Sequence, residues 1–172
     1  RDGVYQVCLP NGDVGWIGSS GVIELDVRGT IQEVSTRYFV SSALTFANAT
    51  YLNNGITMNG ISVNGIVYVC ANVNGIRAPR TIEGLKELGT EVELKYDVVT
   101  GELIIDTIQP GDIVFLRASG STNDDVTEIA ICTDTGTLLM LSNARTTIRL
   151  RNFTSSDKIC ERIVQVRRVF SA

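Results

Sequence analysis

The chain has no histidine, only 3 prolines and a single tryptophan. Without imidazole, the usual zinc and haem ligand sets are excluded, and so is the commonest acid–base side chain near neutral pH. No apolar stretch reaches the roughly 18 to 20 residues that a membrane-spanning helix needs, and no short apolar run near the N-terminus reads as a secretion signal. Charge is sparse as well, at 20% of residues, against about 25% in an average soluble protein. What is present in quantity is glycine, 16 residues, and apolar side chains, 44% of the chain. A chain of 172 residues with that apolar content can bury a core without crosslinks, and it is expected to form one domain over residues 1–172.

The 4 cysteines, Cys8, Cys70, Cys132 and Cys160, are widely spaced and include no C-x-x-C pair. If oxidised they would form disulfides; if reduced they would pack as small apolar residues. Asn48-Ala49-Thr50 and Asn152-Phe153-Thr154 are sequons, so Asn48 and Asn152 are candidate N-glycosylation sites. The chain starts at Arg1, which reads as processing. Together these features predict an extracellular or cell-surface location, with a virion as the variant.

Short β-branched and aromatic runs bounded by turn residues dominate the pattern. Strands are expected over Val4 to Leu9, Gly21 to Val27, Ile31 to Val40, Ala43 to Leu52, Ile66 to Val73 and Ile113 to Leu116. Hairpins are expected over Glu91 to Ile108 and Val126 to Leu141, and two last strands over Thr147 to Phe153 and Ile159 to Phe170. Asn54-Gly55-Ile56, Asn59-Gly60-Ile61 and Asn64-Gly65-Ile66 recur every five residues and Asn74-Gly75-Ile76 follows, which predicts a ribbon of tight turns or bulges. The one helix expected is Arg80 to Leu88, stopped by Gly89. The fold class predicted is therefore all-β: an antiparallel β-sandwich, jelly-roll-like or barrel, with about ten short strands and one short helix near residues 80–88.

Asp134-Thr135-Gly136, after the apolar run Ile129-Ala130-Ile131, resembles the Asp-Thr-Gly signature of aspartic proteases. That resemblance implies two such aspartates sharing a proton across a dimer, with Asp134 as the catalytic carboxylate. Turn chemistry offers the other reading, since Thr100-Gly101 holds the same place in the other predicted hairpin. Asn123, Asp124 and Asp125 cluster oxygen ligands of the kind calcium requires, without the spacing of a known calcium loop. Trp16, between Gly15 and Gly18, is a candidate contact for a glycan or receptor. No cofactor is expected, and no enzyme beyond the Asp134 possibility.

Charge is unevenly spread. Residues 145–172 carry a net +5 while the whole chain is at −4. Period-two geometry puts Arg149 and Arg151 on one face of their strand, and Arg162 and Arg168 on one face of the next. If those strands are neighbours, a basic stripe crosses an acidic body. A pI near 4.8 argues against a nucleic-acid partner. Copies of the chain are then the expected partner, through Arg149, Arg151, Arg162, Arg167 and Arg168 and through the terminal strand holding Val4, Gln6 and Cys8. The function this predicts is a non-enzymatic structural subunit of an extracellular filament or protein shell. A surface binding module for a glycan or receptor is the alternative, and a virion capsid or decoration protein the lesser one.

Overall fold

The structure, a computed structural model, describes residues 3–8, 13–19 and 35–170, which belong to two compact units, Arg1–Glu33 and Val34–Ala172. In the first unit β1 (Val4–Cys8) pairs antiparallel with β2 (Val14–Gly18), with Gln6 opposite Trp16. The N-terminal strand, with Val4, Gln6 and Cys8, thus pairs with its own successor, the default of the two pairings that sequence leaves open to it; the other is the edge of another copy. The Gly21 to Val27 strand, and residues 31–34 of the Ile31 to Val40 strand, lie outside the described residues.

The second unit is built on one antiparallel sheet of six strands, in the order β5 (Thr90–Glu91), β10 (Ile163–Arg168), β6 (Ile113–Arg117), β7 (Val126–Asp134), β8 (Thr137–Leu141) and β9 (Ile148–Asn152). Each central strand alternates apolar side chains between two buried faces, as a sheet covered on both sides must. On one face Ile113, Phe115, Ile129, Ile131, Leu139 and Ile148 meet α1 (Thr36–Leu44) and α2 (Val63–Val73). On the other, Val114, Leu116, Ala130, Cys132, Leu138 and Met140 meet Leu103, Ile108, Phe153 and Ile159 from connecting segments. The ring of Phe39 on α1 stacks on Phe170 with centroids 4.5 Å apart. A third helix, α3 (Ile82–Lys86), falls inside the predicted Arg80 to Leu88.

This is a mixed α/β layer arrangement, and it overturns the sandwich, jelly-roll or barrel expectation. Two expected strands are helical: residues 36–44 form α1 and Ile66 to Val73 lies within α2. In α2 the buried residues Val63, Ile66, Val67, Cys70 and Ala71 recur at spacings of three and four. A face buried at that period against the sheet outweighs the β preference of its valines.

The Asn-Gly-Ile repeat makes a tight hairpin in its first two copies and is not a ribbon of turns beyond them. Its first two copies bracket the small hairpin of β3 (Ile56–Thr57) and β4 (Gly60–Ile61), the third enters the first turn of α2, and Asn74 caps that helix at its end. The glycines serve close backbone crossings. A methyl group on Gly65 would lie 2.0 Å from the Gly55 carbonyl oxygen, and one on Gly55 would lie 2.3 Å from that of Gly60.

The arginines expected to form one stripe are divided. β9 is at one edge of the sheet and β10 sits on the far side of β6, β7 and β8. Arg149 donates to the Asn48 side chain, and Arg151 pairs with Asp157 at 2.9 Å. Arg162 pairs with Glu128 at 2.7 Å, and Arg167 donates to the carbonyls of Leu88 and Gly89. Arg168 holds Asp112 with two bonds, 2.8 and 2.7 Å. These guanidiniums tie segments of the chain to the sheet.

Candidate functional site

Two helix starts and the ends of two strands enclose a cleft of about 280 Å³ in the second unit. Val63 and Asn64 come from the first turn of α2, Thr81 and Ile82 from that of α3, Thr127 to Ile129 from β7, and Leu141 from the end of β8. Tyr51 and Asn53 close one side and Arg145, from the β8–β9 turn, overhangs another.

Local chemistry fixes these pieces. Ser62 caps α2 by accepting from the Gly65 amide at 3.2 Å, and its hydroxyl donates to the Gly55 carbonyl at 3.3 Å. Thr81 caps α3 by accepting from the Gly84 amide at 3.1 Å. The Asn64 amide group donates to the Arg80 carbonyl at 2.8 Å, and Arg80 donates to the Asn54 carbonyl at 3.1 Å. The cleft rim is thereby hydrogen-bonded from α2 to α3 and back to residue 54.

Glu128 is the charged hub. Its Oε2 accepts from Arg162 at 2.7 Å, and its Oε1 lies 3.6 Å from Arg145. Arg162 is itself fixed by donating to the Arg117 carbonyl at 2.9 Å, whereas the Arg145 side chain is 66% exposed. Alternation along β7 puts Thr127 and Ile129 on the helix-covered face and Glu128 on the opposite one. Glu128, Leu141 and Arg145 therefore line this cleft and also a second cavity, of about 640 Å³, on the far face.

No thiol reaches the cleft from the cysteines whose side chains are described. Cys70 and Cys132 are buried on opposite sides of the sheet, and desolvation pushes both thiols up to about 12. Burial also raises the Cys160 thiol, which lines a different cavity beside Tyr96 and Asp157. All three are free, so of the two states open to them in sequence, disulfide or packed thiol, these three take the second. Only the backbone of Cys8, in β1, is described. A thiolate nucleophile needs an electropositive, partly exposed setting and a base beside it. With no histidine in the sequence, a cysteine–histidine pair cannot be assembled.

The other predicted sites fall elsewhere. Asp134 is exposed in the β7–β8 turn, its carboxylate accepting from the Thr135 amide at 2.8 Å while Gly136 takes φ 72°. It is turn chemistry, with no second carboxylate brought to it by the described residues. Asn123 donates to Asp125 at 2.6 Å and Asp124 pairs with Arg117 at 3.2 Å, so these oxygens are bonded within their loop. Among the described residues no group of three histidine, cysteine or acidic side chains is placed to hold a metal. Trp16 is 69% exposed on the hairpin of the first unit, and Asn48 and Asn152 are exposed in the second. The residues that sequence reasoning missed are Val63, Asn64, Thr127 and Glu128. The one local signal for them was Ser62 three residues before Gly65, a helix start preceding an apolar stripe.

No family model matches the chain, and no curated protein matches it. Solved structures do. An NlpC/P60 family protein from Bacillus cereus is 18% identical and superposes with a TM-score of 0.74, over 99% of this chain and 52% of that one. NlpC2 from Trichomonas vaginalis is 18% identical, with a TM-score of 0.63 over 99% of this chain and 59% of that one. A Staphylococcus aureus protein described as similar to lipoprotein, NLP/P60 family, is 17% identical, with a TM-score of 0.59 over 80% and 42%. This chain spans about half the length of those proteins.

The likeness shows the fold: mixed α/β, as in these NlpC/P60 structures. It overturns the filament or shell subunits expected from sequence, because the fold is the one seen in NlpC/P60 structures. The expectation that the chain is no enzyme falls with them.

Proposed function

We propose that this chain works on the cell wall, taking an extended wall peptide into the cleft between the start of α2 and β7. The observation that carries this reading is that the NlpC/P60 fold is matched over 99% of the chain with a TM-score of 0.74, and that a cleft opens where helix starts meet the sheet. The lining suits a peptide. Val63, Ile82 and Leu141 offer apolar surface, Asn53, Asn64, Thr81 and Thr127 offer hydrogen bonds to main chain, and Glu83 and Glu128 offer two negative charges against the positive charge of Arg145. A cell-surface location fits this role.

The chemistry available differs from that of a thiol peptidase. Turnover at this cleft proceeds without imidazole and, among the cysteines whose side chains are described, without a thiolate. The carboxylates lining the cleft are Glu83 and Glu128; we assign water activation to Glu128, whose Oε1 is only loosely paired with Arg145 while its Oε2 is committed to Arg162.

The test is calorimetric titration with soluble wall peptides, with product analysis of the same mixtures. The native chain is expected to bind saturably and to do so equally after alkylation with iodoacetamide. Thr127→Trp, which fills the cleft from an exposed strand position, is expected to abolish binding while leaving the fold intact. Binding that is absent, or untouched by Thr127→Trp, would remove the reading.

A further inference from the structure

The cleft does not end at Arg145. The second cavity, of about 640 Å³, shares Glu128, Leu141 and Arg145 with it and lies on the opposite face of the sheet. Its charge is one-sided: Arg145, Arg151, Lys158 and Arg162 against Glu128 and Glu161. The chain as a whole is at −4, so a cavity lined by a surplus of cations stands against the prevailing charge. Clefts lined by one sign of charge focus the potential and draw in ligands of the other.

Two of these cations are spoken for. Arg162 is held by Glu128 and the Arg117 carbonyl, and Arg151 by Asp157. The other two are not. Lys158 is exposed and has no carboxylate within ion-pair distance among the described residues, and Arg145 reaches Glu128 only at 3.6 Å from a largely exposed position. Arg145 also holds a left-handed backbone, φ 55°, with its amide bonded to the Ser142 carbonyl at 2.8 Å. For a residue with a Cβ that conformation costs free energy and persists only where the surroundings impose it. Here it places the guanidinium at the junction of the two cavities.

We propose that cleft and cavity form one continuous track for an extended acidic polypeptide segment, with Arg145 and Lys158 taking its carboxylates on the far face. The inference rests on the cleft being a peptide site, as proposed above, and adds a longer ligand of defined charge. Arg145 exchanges its weak pairing with Glu128 for a ligand carboxylate, and Arg162 keeps Glu128 neutralised while it does so. The carboxylates would be spaced along the strand, so side chains two apart face the cations together.

The experiment is fluorescence anisotropy with a labelled peptide alternating glutamate and alanine, beside its glutamine counterpart. The glutamate peptide is expected to bind about tenfold more tightly, with a dissociation constant that rises with salt. Arg145→Glu and, independently, Lys158→Glu should each weaken it about tenfold. Lys95→Glu, the same charge change at an exposed site lining neither cavity, should not. Equal binding of the two peptides, reversals that behave like Lys95→Glu, or equal competition by an oligothymidylate of matching charge would overturn the proposal. Wall peptide blocked by Thr127→Trp while the acidic peptide ignores both reversals would defeat this inference alone. Acidic-peptide binding without wall-peptide binding would defeat the earlier reading alone.

Discussion

Two acid–arginine pairs in the same sheet have opposite settings. Asp112, at the start of β6, has a side chain only 1% exposed, held by two bonds from Arg168 and one from the Gln109 amide at 2.8 Å. It lines none of the three cavities described above. Glu128, on the neighbouring strand, is 22% exposed, shared between two arginines, and lines two cavities. The first pair is saturated and closed, so its value is to the fold. The second keeps a loosely held oxygen and a loosely held guanidinium, so its value is to a ligand. Partnering and access, more than charge, separate a structural pair from a site.

The strongest way to break the comparison is at Asp112. Asp112→Ala leaves a guanidinium without its carboxylate and an amide without its acceptor, and is expected to cost about 3 to 5 kcal/mol in urea denaturation. Glu128→Ala should cost clearly less, because Arg162 keeps its carbonyl partner and Arg145 stays in water. Equal losses at the two sites would erase the distinction.

Next comes Gly65→Ala, where the added methyl would strike the Gly55 carbonyl at the cleft rim. A loss of about 1 to 3 kcal/mol is expected, as for other overpacked sites, with peptide binding lost alongside it.

A third test separates buried thiols from the cleft. Cys70 and Cys132 have thiols raised by burial to about 12, so in the alkaline range the folded chain retains protons that the unfolded chain has released. Stability should be unaffected below the unfolded thiol value and fall as pH rises from there toward 12, by up to about 1.4 kcal/mol per pH unit for each thiol. Cys132→Ala should flatten that decline in denaturation curves, and peptide binding should not follow it.

The smallest effect is expected at Asp97, an exposed turn residue whose carboxylate accepts from the Thr100 and Val99 amides and is lowered by them. Its contribution is present above the unfolded carboxylate value and disappears as pH falls through the lowered one. Asp97→Asn should change acid stability only slightly, and binding not at all.

Much of the sheet was legible in sequence because its signals are local. Val126 to Leu141 with its Asp134-Thr135-Gly136 turn, the run from Ile113, and the Arg80 to Leu88 helix each carry their own pattern. Ile66 to Val73 was misread because valine and isoleucine favour strands in isolation, while the three-and-four spacing beginning at Val63 became decisive only against a sheet to cover. The glycine repeat misled for the same reason, since Gly55 and Gly65 answer to backbone crossings, and Gly60 to the Leu52 side chain, that no local window displays. The site was illegible because its residues come from five separate segments, at 51–54, 63–64, 81–83, 127–129 and 141–145, none of them a motif by itself. The arginines were visible, but their partners, Asp112, Asp157 and Glu128, were found only through strand order.

The most direct test of the account is a backbone NMR titration of the chain with a soluble wall peptide. Perturbations concentrated at Asn64, Thr127, Glu128 and Arg145, unchanged after thiol alkylation, are the predicted result. Perturbations confined to other surfaces such as Trp16 or the Asp134 turn, or none at saturating peptide, would contradict it.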